Sequence, residues 1–181
     1  REGNLITINE IMNQVGKDSL RYFMISSKAE SPMDFDMDKV IEKNKDNPVF
    51  YCQYAYARAS SVINKSKTFV EFNNFENNLK QINYSYFSIY EWEIILKLLS
   101  WPYLLNQVSI SKQPHKITNY LEDLCSNFHS FWNLGKENKN LRMLDIDNID
   151  KTLTKLLWVE SFRIVLKRAF TIIGIDANEK M

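Results

Sequence analysis

The strongest constraint on the fold is the run Asp46-Asn47-Pro48-Val49-Phe50-Tyr51-Cys52-Gln53-Tyr54-Ala55-Tyr56-Ala57-Arg58. Asn47 is a good N-cap, and Pro48 falls at the first helical position, where its missing N–H costs nothing. The pattern predicts a helix from residue 47 to about residue 65 with two unlike faces. Val49, Cys52, Tyr56, Ala59 and Ile63 make a face that can enter a core, while Tyr51, Tyr54, Ala55 and Arg58 share the other side. Aromatic rings beside one fixed guanidinium suit stacking on RNA bases and pairing with phosphate. Tyrosines at this spacing are more often core or subunit contacts.

The same preference for helix runs through the chain, because only four glycines and four prolines interrupt 181 residues. Helices are predicted over residues 7–15 and 18–26, divided at Gly16, with Asp18 capping the second. Residues 31–36 read as a loop, followed by a short helix over 37–45. Residues 66–88 are Asn-rich with interspersed Phe and Tyr, a composition for loop and short helical pieces. Residues 89–108 are densely apolar, and Pro102 should kink or divide them. A helix over 115–134 carries the stripe Leu121, Leu124, Phe128 and Phe131, and a charged loop spans 136–148. The last helix, 150–173, starts at an Asp and stops at Gly174. Its apolar residues cover more than half its circumference, which predicts the central helix of an all-α bundle. Arg163, Lys167 and Arg168 in its later turns complement its dipole.

Charge and composition exclude several functions. The net charge is +1, too little for a protein that grips nucleic acid by broad phosphate neutralisation. An RNA partner would be held by shape, stacking and a few placed cations, as suits a splayed loop. No apolar run approaches the ~20 residues that cross a bilayer, so no membrane partner is expected. Cys52 and Cys125 lack CxxC spacing and read as small core residues of a reducing compartment. Asp34, Asp36 and Asp38 alternate in an acidic loop without the glycine and distal glutamate of a calcium site, so no metal is expected there.

Residues 47–58, reading NPVFYCQYAYAR, resemble the first helix of the anticodon-binding domain of class I arginyl-tRNA synthetases, where the wording is close to NPVFYVQYAHAR. Cys52 and Tyr56 stand where that family often carries Val and His. Val15-Gly16-Lys17-Asp18-Ser19-Leu20-Arg21-Tyr22-Phe23-Met24 is similar to the family's VGxDAxRFFM, and Asp34-Phe35-Asp36 to its LDFD. The likeness thins over residues 66–115, then returns over 120–132 and at Ile173-Gly174-Ile175 and Met181.

This resemblance implies an all-α helical bundle of the synthetase anticodon-binding type. Residues 1–46 would be the helical end, or stem, of a catalytic domain, and residues 47–181 the anticodon-binding domain. It further implies a tRNA-binding face with Tyr51 stacking on a base and Arg58 contacting phosphate or base. Gln53 and Tyr54 flank them, although both could instead support helix packing. Phe128 and Trp132, one turn apart, correspond to an aromatic pair near the anticodon, and Met181 to a terminal methionine beside its pocket. Phe128 also lies on the core stripe, and His129 reads as a polar residue of the helix surface.

The parent enzyme would join arginine to its tRNA using ATP and magnesium. No HIGH-like signature, P-loop, dinucleotide glycine pattern or supported nucleophile–base pair occurs in this chain. In the family the KMSK-type loop lies just before residues resembling 1–7. A C-terminal portion is therefore expected, non-catalytic and without a cofactor, meeting arginine and ATP only through a catalytic domain. A cytoplasmic monomer is expected. The competing reading is a helical protein-interaction module with an aromatic partner surface and no RNA role, which predicts concentration-dependent oligomers.

Overall fold

The computed structural model describes residues 7–32, 40–42, 46–70 and 82–181. Within them lie seven α-helices: α1 (Ile8–Val15), α2 (Lys17–Ser26), α3 (Pro48–Ser66), α4 (Ile89–Leu99), α5 (Trp101–Ser111), α6 (His115–Glu137) and α7 (Ile149–Ile173). Single 3₁₀ turns occupy Tyr84–Tyr86 and Lys139–Leu141, and no strand occurs among the described residues. The acidic loop with Asp34, Asp36 and Asp38, most of the helix expected over 37–45, residues 71–81 and the opening residues 1–6 lie outside the described residues.

Local chemistry sets the helix ends. Thr7 and Glu10 form a reciprocal capping box at the start of α1, with Thr7 N–H donating to Glu10 Oε2 at 2.7 Å. Gly16, at φ 83°, ends α1 and opens α2 in a conformation that favours glycine. The expectation of an Asp18 cap is thereby corrected: Gly16 holds the cap position, and the Asp18 carboxylate is engaged elsewhere. At α3 the sequence reading holds. Asn47 Oδ1 accepts from Val49 and Phe50 N–H, and its amide donates back to the Val40 and Glu42 carbonyls at 2.7 and 2.9 Å. Pro102 divides the apolar stretch, with α4 ending at Leu99 and α5 beginning at Trp101. Asn148 rather than Asp150 caps α7, accepting from Lys151 N–H at 3.0 Å. Gly174 closes it in the left-handed region, with Ile175 N–H reaching back to Phe170 O at 3.0 Å. The last turn of α7 carries no basic residue, and Arg163 is spent on Glu160 and Glu179 instead of the dipole.

The core forms where α7 meets α3, α4 and α6. Leu156, Val159, Phe162, Leu166, Ala169 and Phe170 are buried against Cys52, Tyr56 and Ala59 of α3 and Leu121, Leu124 and Phe128 of α6. Each of the large side chains contributes about 1.5–3 kcal/mol by leaving water. An ion pair lies inside this core: Lys155 Nζ is 3.0 Å from Glu91 Oε1, and both side chains are fully buried. Glu91 also accepts from Trp158 Nε1 at 3.1 Å and from Ser88 N–H at 2.9 Å, so its oxygens are well supplied with donors. Burial pulls the Lys155 ammonium below the usual lysine range, and the adjacent Glu91 opposes that shift.

The two leading helices are fastened to the bundle by long-range contacts. Tyr22, completely buried, donates to Glu122 Oε1 at 3.0 Å, and burial raises the Glu122 carboxyl. Arg21 Nε donates to the Ile173 carbonyl. The Asp18 carboxylate accepts from Asp176 N–H at 3.1 Å and from Gln53 Nε2 at 3.0 Å. On the far side, α4 and α5 turn Ile94, Leu98 and Trp101 inward and leave Leu96, Leu99, Tyr103 and Ile110 62–72% exposed. Among the described residues no helix is long and apolar enough to cross a membrane.

Candidate nucleic-acid interface

The outward face of α3 meets α6 at Arg58, and the contacts made there fix the guanidinium in one orientation. Its Cζ lies 4.0 Å from the centre of the Tyr54 ring and 5.0 Å from that of Trp132. Nη2 donates to the Tyr54 hydroxyl at 3.0 Å. Nη1 lies 3.0 Å from Nδ1 of His129, and His129 Nε2 lies 3.1 Å from the Tyr51 carbonyl. A guanidinium has only donors and a carbonyl only accepts, so the ring proton must sit on Nε2, leaving Nδ1 to receive Arg58. Burial, with Arg58 adding to it, holds the His129 pKa below its ordinary value, while the bond to Tyr51 works the other way. His129 is thus a neutral bracket spanning α3 and α6.

Aromatic rings extend the patch. Tyr51 packs on His129 at 4.3 Å between centroids, Tyr54 stacks on it at 5.9 Å, and Phe50 stacks on Tyr54 at 5.8 Å. Burial raises the Tyr51 phenol, opposed by its bond to Ser126. Tyr54 is 36% exposed, and Tyr51, Arg58 and Trp132 are half-buried. The result is a rigid, partly open surface with a positive charge held against two π-faces, suited to an anionic ligand with flat rings.

Tyr51, Tyr54, Arg58 and Trp132 therefore converge, and other expected members take different roles. Phe128 offers no face to a ligand: it is 0% exposed, stacked on Phe162 at 4.4 Å, and lies 6.1 Å beneath Trp132. Ala55, expected on the outer face, is fully buried because the core wraps further round α3 than the tyrosine spacing suggests. Gln53 is also buried, and its amide is consumed by Asp18 Oδ2 and the Asp176 carbonyl, both at 3.0 Å. Met181 is 55% exposed, and Arg58 is not among the residues that line its cavity. Met181 shares this cavity of about 520 Å³ with Asn47, Val49, Phe50 and Gln53, joined to the patch through the Phe50–Tyr54 stack.

His129 corrects the sequence reading most, since it is buried rather than on the helix surface. The overlooked signal is that it follows the core residue Cys125 by one helical turn. Among the described residues no group of three His, Cys, Asp or Glu side chains is placed to hold a metal.

Comparison with known proteins identifies the family. The family model for the DALR anticodon binding domain matches residues 52–181. Arginine–tRNA ligase of Bartonella bacilliformis is 37% identical over 182 residues, covering 100% of this chain and 31% of the relative. Arginine–tRNA ligase of Pelagibacter ubique is 37% identical over 184 residues, covering 100% and 30%. The chain thus spans about a third of the length of the curated relatives it matches. A solved chain from Campylobacter jejuni superposes with a TM-score of 0.78 at 27% identity, covering 100% of this chain and 37% of that one. The arginyl-tRNA synthetase of Thermus thermophilus superposes with a TM-score of 0.74 at 23% identity, over 98% of this chain and 28% of that chain, a likeness of fold.

Proposed function

The chain belongs to the DALR anticodon-binding domain family, and on that premise we propose that it is the tRNA-reading C-terminal portion of an arginine–tRNA ligase. Membership of an anticodon-binding family makes tRNA the partner. The observation that carries the finer reading is the fixed guanidinium of Arg58, held against Tyr54 and Trp132 and oriented by His129. Arg58 contacts a phosphate or base of the arginine anticodon loop, and Tyr51, Tyr54 and Trp132 supply stacking surface. Gln53 and Phe128 act by positioning, and Met181 shapes the adjoining wall. Residues 47–181 are the reader, and residues 1–46 are the stem joining it to a catalytic domain.

In the whole protein, arginine, ATP and magnesium meet at that catalytic domain, and this portion binds and orients tRNA without catalysis or a cofactor. It works as a cytoplasmic monomer. The test is affinity for arginine tRNA and for variants with single anticodon substitutions. Arg58→Ala should cost about 1.5–3 kcal/mol, the worth of a hydrogen bond to a charged group, or roughly 10- to 150-fold in Kd. Equal affinity for every anticodon variant would remove specific readout from this chain.

A further inference from the structure

One turn beyond Arg58 along α3, a cavity of about 570 Å³ opens beside Trp132. Val62, Phe131, Met143 and Leu144 supply apolar walls, and Lys65, Lys136 and Arg142 add three cations. Among the described residues no acidic side chain lines it and no carboxylate pairs with any of the three. In a chain of net charge +1 this is a local concentration of positive charge. Arg142 Nε donates to the Gly135 carbonyl at 3.2 Å, which anchors that guanidinium at the cavity. A slot with apolar walls, an indole at one side and cations about it matches one nucleotide, a flat ring system carrying anionic phosphates. Trp132 belongs both to this cavity and to the Arg58 cluster, so the two surfaces are continuous. Arg58 and Lys65 are seven residues apart on α3, roughly 10 Å along the axis.

We propose that this cavity is a second nucleotide site, taking one unstacked base of the same single-stranded loop beside Trp132 with its phosphates on Lys65, Lys136 and Arg142. The inference rests on the RNA-binding reading of Arg58. Ser61 is exposed on α3 and lines the cavity, so replacing it leaves the core intact.

The probe is a stem–loop carrying the arginine anticodon, used intact and with each loop nucleotide made abasic in turn, on the full chain. Ser61→Trp fills the cavity and should weaken binding at least about 5-fold, the smallest worth of one stacked base. It should also abolish the abasic effect at one loop position, distinct from the position whose effect Arg58→Ala abolishes. Lys136→Gln should reduce the slope of log affinity against log salt by ~0.7, the value for one phosphate of a single strand. An unchanged affinity and abasic profile in Ser61→Trp, with Arg58→Ala still weakening binding, overturns the second site and leaves the anticodon reading standing. If Arg58→Ala and every abasic loop bind like wild type, both readings fall together. Ser61→Cys gives a second readout, because Cys52 and Cys125 are buried and a maleimide reports position 61. Rapid labelling that the stem–loop suppresses supports the proposal. Slow labelling in the absence of RNA would show position 61 already covered and overturns it.

Discussion

Between about pH 7.5 and about pH 5, binding of an anticodon stem–loop should weaken through one residue, His129. Its Nδ1 accepts from Arg58 Nη1 at 3.0 Å, and a proton there would replace the acceptor with a donor and set two cations face to face. With an effective dielectric of ~20, repulsion at that separation is roughly 5 kcal/mol. The cation–π contacts of Arg58 with Tyr54 and Trp132 are worth about 0.5–1 kcal/mol each, and its bond to the Tyr54 hydroxyl about 0.5–1.5 kcal/mol, together less than the repulsion. The guanidinium must therefore leave its place. The cost to binding is capped at the contribution of Arg58 itself, about 1.5–3 kcal/mol or roughly 10- to 150-fold in Kd. The sign separates this from a general charge effect, because an added positive charge alone would tighten RNA binding.

Burial and Arg58 depress the folded pKa of His129, so the loss of affinity lies below about pH 6.5, the ordinary value. Stability follows the same sense: the unfolded chain takes up this proton first, so the contribution is complete above about pH 6.5 and declines as pH falls. The assay is fluorescence anisotropy of a labelled stem–loop across the pH series at constant ionic strength, with His129→Gln in parallel. The glutamine amide can accept from Arg58 and donate to the Tyr51 carbonyl but gains no proton, so its profile should be flat. A flat wild-type profile, or a glutamine variant that keeps the wild-type slope, would refute the reasoning.

Lys155→Met leaves Glu91 charged and buried without its cation, which should cost about 3–5 kcal/mol. Thermal denaturation should show this as a fall of about 6–20 °C in Tm, much of it restored by adding Glu91→Gln; a loss under ~1 kcal/mol, within the range of an exposed ion pair, would contradict the buried pair. Gly174→Ala places a methyl group in the left-handed region, at φ 74°, against the Arg21 guanidinium. It should cost about 1–2 kcal/mol in urea denaturation, and a neutral result would mean α7 ends differently. Gln53→Leu removes one donor from Asp18 and, among the described residues, the only side-chain bond to the Asp176 carbonyl. Hydrogen exchange at the Asp176 amide should accelerate by roughly 5- to 150-fold, corresponding to about 1–3 kcal/mol, and unchanged protection would show that the tail is held by other contacts.

The fold was legible where a residue's role depends on its neighbours in sequence. Asn47, Pro48, Pro102 and Gly174 act through local backbone geometry, and each does in the structure what its position implies. The stripe Leu121, Leu124, Phe128 and Phe131 is buried as its period requires. The site was legible only in part, since its orientation depends on contacts between distant elements. Tyr51, Tyr54 and Arg58 share a helix face by spacing alone, but His129 holds Arg58 from α6, 71 residues away. Its one-turn spacing from Cys125 signals burial, but nothing local marks the contact with Arg58. Gln53 presented the converse problem: a polar residue beside a ligand-facing tyrosine looks available, and only the positions of Asp18 and Asp176 reveal that its amide is taken. The Glu91–Lys155 pair escaped sequence reading for the same reason, since a charge on an apolar helix shows no partner 64 residues off.

The contacts that fasten α2 also impose an order of events during synthesis. Tyr22 is buried against the Thr118 carbonyl, 96 residues later, and Asp18 accepts from Asp176, 158 residues later. At about 5–20 residues per second, a translating ribosome delivers Thr118 roughly 5–20 s after Tyr22. Over that interval the first two helices exist without the surface they were built to meet, and helices this short are marginal in isolation. A chain arrested before α6 leaves Tyr22 uncovered, which leaves α2 open to chaperones and to premature cleavage. The tie between α2 and the segment that follows α7 forms only once Asp176 has emerged.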